Sequence, residues 1–120
     1  MKKFLALYYI PRTSLEEWDK KKAAGLDLKE EMKKEMEVWS KWMNDHKEIF
    51  ADMGSGLGKT KRVTTGGVSD TKNELTGYSI VKADSHDAAT KLFTSDHPHF
   101  VMPGAYIEVL ELVGPGMDEF

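Results

Sequence analysis

The chain has 120 residues, 40% apolar and 31% charged, with net charge −3 and no cysteine. That length and balance suit one folded domain, residues 1–120, and argue against disorder. The missing cysteine removes disulfides, thiolate catalysis and Cys-ligated metals. The slight acidity argues against a nucleic-acid partner, which would need a basic stripe.

Phe4 to Ile10 follows Met1-Lys2-Lys3 with the outline of a signal peptide. The apolar run is short, ends at Pro11-Arg12 and has no small-residue cleavage site, so it reads as a first strand. With no run long enough to span a membrane, the expected location is cytoplasmic. Ser14-Leu15-Glu16-Glu17 has a capping-box pattern and predicts a short helix stopped by Gly25. Asp27-Leu28-Lys29-Glu30 repeats that logic and opens the main helix, predicted to reach about Phe50. Leu28, Met32, Met36, Trp39, Met43, His46 and Phe50 recur every three or four residues and fall on one face.

The Gly/Thr-rich stretch from Gly54 to Gly67 predicts short strands joined by tight turns. Gly58-Lys59-Thr60 lacks the upstream glycine and the following helix of a phosphate-binding loop, so it reads as part of a hairpin. Gly77 to Ala83 is a strand, Ser85 caps a second helix, and His97-Pro98 ends it. Ala105 to Val113 is the last strand, and Gly114-Pro115-Gly116 closes the fold.

The order is βαββαβ, which predicts an α+β, ferredoxin-like sandwich with both helices on one sheet face. The first and last strands are apolar on both faces. Phe4, Ala6, Tyr8 and Ile10 alternate with Leu5, Leu7 and Tyr9; Ile107, Val109 and Val113 alternate with Tyr106, Leu110 and Leu112. A one-sided antiparallel sheet alternates apolar with polar, so something must cover the second face. A second copy of the chain is the expected partner, giving a homodimer. A ligand or another protein is the competing cover.

Several residues carry candidate chemistry. His97 and His99 flank Pro98 and can share a metal, or His97 can close a helix C-terminus; no metal and no cofactor are expected. His46, on the helix stripe, reads as a buried, hydrogen-bonded histidine rather than a general base. Trp39 and Trp42 read as core and rim of the helix–sheet contact. Tyr8, Tyr106 and Glu108 share even parity on two strands expected to be central. They would line the space between two facing sheets, holding a ligand or pairing across the interface. His97 and Asp70 are the candidate acid–base pair; Tyr8, Tyr106, Glu108 and Lys72 are the candidate ligand-binding set.

From about Met53 onward the chain resembles the YCII-related family, in its DGPF-type branch. The residues that carry the resemblance are Gly54-Ser55-Gly56-Leu57, Thr65 to Tyr78, Ser79-Ile80-Val81, Ser85 to Ala89, His97-Pro98 and Tyr106-Ile107-Glu108-Val109. The resemblance implies a dimeric α+β barrel, two ferredoxin-like sheets packed face to face. Asp70-Thr71-Lys72 stands where the family has Glu-Thr-Lys. Thr65-Gly66-Gly67-Val68 stands where the branch has Asp-Gly-Pro-Phe, so one glycine remains. Related proteins are associated with a His–Asp pair whose histidine lies early in the main helix; this helix has only the late His46, so that pair does not carry over. The resulting expectation is a small-molecule binder with cofactor-free acid–base chemistry. The alternative is a non-enzymatic protein-interaction or transcription-regulatory module, since some branch members resemble neighbours of sigma factors.

Overall fold

A computed structural model describes residues 1–25 and 28–114. Strand β1 spans Lys2–Tyr9, helix α1 Arg12–Ala23 and helix α2 Lys29–Asp45. Strands β2 (Phe50–Gly56), β3 (Thr60–Thr64), β4 (Gly67–Thr71) and β5 (Leu75–Ala83) follow. Helix α3 (His86–Thr90) and strand β6 (Tyr106–Glu111) complete the described chain. The fold is α+β, with a four-stranded sheet in the order β2-β5-β1-β6 and every neighbouring pair antiparallel. β3 and β4 form a separate two-stranded hairpin.

Local chemistry explains most boundaries. Pro11 ends β1 because it has no N–H for the ladder, and its fixed φ of −56° starts α1. Ser14 is not the cap of α1: it lies inside the helix, where its Oγ donates to the Pro103 carbonyl at 2.7 Å. The expected cap at Asp27 lies outside the described residues, as do Pro115 and Gly116. α2 stops at Asp45, five residues short of the predicted end, and a 3₁₀ turn over Lys47–Ile49 leads into β2. His46 is therefore exposed, not buried: its Nδ1 lies 2.8 Å from the Trp42 carbonyl and its ring stacks on Trp42. Phe50 belongs to β2 and enters the core from the sheet.

Ser85 caps α3 as expected, accepting the Ala88 N–H at 3.0 Å. That helix ends at Thr90, so His97 is not at its C-terminus. Pro98 instead opens a 3₁₀ turn over Pro98–Val101, a position its fixed φ and absent N–H suit.

The core lies between the helices and one sheet face. Phe4, Ala6 and Tyr8 of β1 are 1%, 0% and 5% exposed, beside Val81 and Ala83 of β5. Trp42, Met43, Leu92, Phe93 and Val109 pack against that centre. The opposite face carries Leu5, Leu7 and Tyr9, with Tyr78 and Ile80 from β5 and Leu110 from β6. No described helix covers it, and extents of 49 × 45 × 20 Å describe one helical layer on one sheet.

In β2, Gly54 has φ of +76°, and a Cβ there would fall 1.7 Å from the Tyr78 carbonyl oxygen. Only glycine permits β5 to approach this irregular strand so closely.

Candidate functional site

The site is built around the segment His97-Pro98-His99. The His97 ring turns back on its own chain, and its Nδ1 accepts the His99 N–H at 3.0 Å. With Nδ1 acting as acceptor, the neutral ring carries its proton on Nε2. That atom is buried and has no hydrogen-bond partner among the described residues. The rings of Trp42, Trp39 and Phe93 stand 4.2, 5.0 and 5.5 Å away between centroids. Burial in this aromatic shell lowers the His97 pKa to about 4, so the ring is neutral at pH 7.

His99 is fixed the other way round. Its Nε2 lies 2.8 Å from the Tyr9 carbonyl and 3.2 Å from the Tyr106 carbonyl. Carbonyls only accept, so Nε2 holds the proton and Nδ1 keeps its lone pair. Tyr9 and Tyr106 are register partners on β1 and β6, so the ring is tied to two strands at once. Burial lowers the His99 pKa, while the two carbonyls oppose that shift. His99 is 5% exposed and its Nδ1 makes no hydrogen bond among the described residues.

Tyr8 stands between both histidines, with ring centroids 5.8 Å from His97 and 5.3 Å from His99. Its hydroxyl pairs with Ser79 Oγ at 2.7 Å, and burial raises its pKa. Beneath it, a Cβ on Gly77 would lie 3.6 Å from the Tyr8 ring and 3.2 Å from the Ser55 carbonyl. The bare backbone lets the ring lie close to the sheet.

Above these groups is a cavity of about 540 Å³, walled by Tyr8, Met36, Trp39, Met43, Met53 and His99. That volume is within the usual range for small-molecule sites. α2 supplies one wall because the N-terminal half of its apolar stripe stands away from the sheet, leaving Met32 and Met36 exposed. Two other polar side chains on the wall are engaged as donors. Thr76 Oγ1 donates to the Tyr8 carbonyl, and Ser55 Oγ donates to the Gly56 carbonyl. No lysine, arginine, aspartate or glutamate is among the described lining residues.

The residues expected from sequence divide between three places. His97 and Tyr8 meet at this cluster. Tyr106 and Glu108 lie on the opposite sheet face, because Tyr8 pairs with Ile107 and Ala6 with Val109. An even residue of β1 thus sits beside an odd residue of β6, and a one-residue offset moves a side chain to the other face. β6 is also an edge strand, while β1 and β5 are central. Tyr106 stacks on Tyr9 at 4.8 Å and donates to Glu74 Oε1 at 3.0 Å, which raises its own pKa. The Glu108 carboxylate acts on the Tyr9 hydroxyl and raises its pKa.

Asp70 lies on the exposed hairpin, 2.7 Å from Lys61 Nζ, in a stretch where every residue from 61 to 70 is exposed. Lys72 is exposed at the base of that hairpin, in a shallow groove with Arg12, Glu16 and Asp19 of α1. Neither joins the histidine cluster.

Trp39 and His99 are the site residues whose role sequence reasoning missed. The signal for His99 was its place two residues from His97 across a proline, which sets both rings against Tyr8. Trp39 was indistinguishable from an ordinary core residue by its spacing. No group of three or more His, Asp or Glu among the described residues is placed to hold a metal ion. No described helix is long and apolar enough to cross a membrane. No family model, curated protein or solved structure matches the chain.

Proposed function

We propose that this chain is a YCII-related, DGPF-type protein that binds a small, partly apolar molecule in the cavity beneath α2. The observation that carries the reading is an aromatic and thioether-lined cavity with His99 in its wall, whose Nδ1 is left as an acceptor with no hydrogen bond among the described residues. Proton transfer to and from that nitrogen is the cofactor-free chemistry the site would support.

The protein works as a homodimer in this reading, its two sheets facing each other as a dimeric α+β barrel. Support comes from the strand order β2-β5-β1-β6 with antiparallel neighbours, which is the order and direction pattern of a ferredoxin-like sheet. The apolar residues left on the uncovered face support it too.

A cavity-filling variant tests the binding role. Gly56 pairs with Gly77 on the helix side and lines the cavity. A Cβ at this position meets nothing closer than 3.9 Å. Saturable quenching of tryptophan fluorescence by 2-methoxynaphthalene, abolished in a folded Gly56→Phe variant, is the expected result. No saturable quenching in the native protein would remove the reading.

One observation favours the interaction-module reading: Val63 and Val68, opposite each other on the hairpin, are 76% and 65% exposed. Cross-linking from position 68 to a protein other than this chain, with no ligand in the cavity, would support it.

A further inference from the structure

The cavity contains a more specific instruction than apolarity. The His99 ring is held by its Nε2–H against two strand carbonyls, so it cannot turn over without abandoning both bonds. Nδ1, across the ring from the held edge, is an acceptor with no partner among the described residues, in a ring that lines the cavity. Thr76 and Ser55 donate their hydroxyl protons to backbone carbonyls and Tyr8 pairs with Ser79, whereas His99 Nδ1 is a nitrogen that can only accept.

Set in a wall that is otherwise mostly apolar, that acceptor meets no protein donor among the described residues, and a ligand O–H that reaches it gains a hydrogen bond that an ether cannot make. The wall holds no cationic side chain to balance a carboxylate or phosphate, and no carboxylate to balance an ammonium group. The aromatic edges of Tyr8 and Trp39, with the polarizable Met36, Met43 and Met53, suit a flat aromatic body.

We infer that the ligand of this cavity is a neutral hydroxyaromatic molecule whose O–H donates a hydrogen bond to His99 Nδ1. The inference rests on the proposed binding role and narrows its ligand class. It assigns His99 as the residue that discriminates a hydroxyl from its ether or its anionic counterpart.

The test compares three probes of one shape on the native protein: 2-naphthol, 2-methoxynaphthalene and 2-naphthoate, by tryptophan fluorescence titration. The expected result is binding of 2-naphthol about tenfold tighter than the ether, as one added hydrogen bond supplies, with 2-naphthoate weakest. In nitrogen-15 NMR, 2-naphthol should shift the Nδ1 resonance of His99 while the ether leaves it in place. A folded His99→Phe variant should bind naphthol and ether alike. Equal binding of naphthol and ether to the native protein, or preference for naphthoate, would overturn the inference while leaving the binding role intact. Failure of all three to bind would overturn both.

Discussion

The two faces of β1 are equally apolar in sequence and unlike in the fold. Phe4, Ala6 and Tyr8 are sealed beneath the helices, while Leu5, Leu7 and Tyr9 remain partly open to solvent. The sealed face has chemistry built into it: two neutral histidines, a buried tyrosine hydroxyl and a cavity. The open face has one stacked tyrosine pair, Tyr78, aliphatic side chains and Glu108. The contrast teaches that apolar alternation marks a strand for burial on both sides without saying what does the burying. Helices of the same chain cover one side, and no described helix covers the other.

The sharpest way to break the comparison is to charge each face in turn. Ala6→Asp puts a carboxylate where nothing can pair it, and the expected loss is about 4 kcal/mol or more, enough to unfold the domain. Leu7→Asp, one residue away, should retain native circular dichroism and, against the dimer proposed for the native protein, sediment as a monomer. Unfolding by both changes alike would erase the difference between the faces, and a monomeric native protein would leave the open face without its proposed cover.

Gly54→Ala strikes the framework both faces share. The positive φ and the 1.7 Å overlap with the Tyr78 carbonyl force β2 away from β5. A loss of about 3 kcal/mol in urea denaturation is expected. A change below the error of that measurement would mean the strands can separate freely at this point.

Acid should find the sealed face first. His97 has a pKa of about 4 in the fold against 6.5 in its absence. Between those values the unfolded chain binds a proton that the folded chain refuses, so stability falls as pH is lowered through that window. The loss reaches about 3 kcal/mol at most, and the lowered His99 pKa acts in the same direction. Urea midpoints between pH 7 and pH 4 should show the slope in the native protein and a flatter one in His97→Phe. An equal slope in both would place the acid-sensitive group elsewhere.

The smallest effect belongs to the open side. Glu74 accepts from the Tyr106 hydroxyl at 3.0 Å and from the Arg12 N–H at 3.1 Å, at exposed positions. Glu74→Gln should lower the Tyr106 pKa toward 10.0 in an NMR titration and leave the denaturation midpoint almost unmoved. An unchanged Tyr106 titration would show that this contact does not persist in solution.

Much of the fold was legible because it is local. Pro11 had to stop a strand, Ser85 had to cap a helix, and the alternation of Phe4 to Tyr9 had to run extended. The main helix was legible in its body and wrong at its end, because the apolar period continues through His46 to Phe50 while the backbone has already changed. Periodicity counts side chains and cannot see the 3₁₀ turn at Lys47 that delivers Phe50 from a strand instead. His97 and Tyr8 were found separately as candidates, each from its own surroundings.

Sequence alone determined the order of the elements, the doubly apolar first strand, the absence of thiol chemistry and the His-Pro-His signal. Each of these depends on a few neighbouring residues and on how a backbone of that composition can bend. The tertiary structure alone decided which side of the sheet each residue faces. The register of β1 with β6 sets Tyr8 beside Ile107 rather than Tyr106, and so sends Tyr8 to the histidines and Tyr106 to the open face. Register is a relation between strands nearly a hundred residues apart, and in a sheet of period two a single step reverses every side chain. For that reason the candidate site, which joins β1, α2 and the segment after α3, was beyond any reading of parity along one strand.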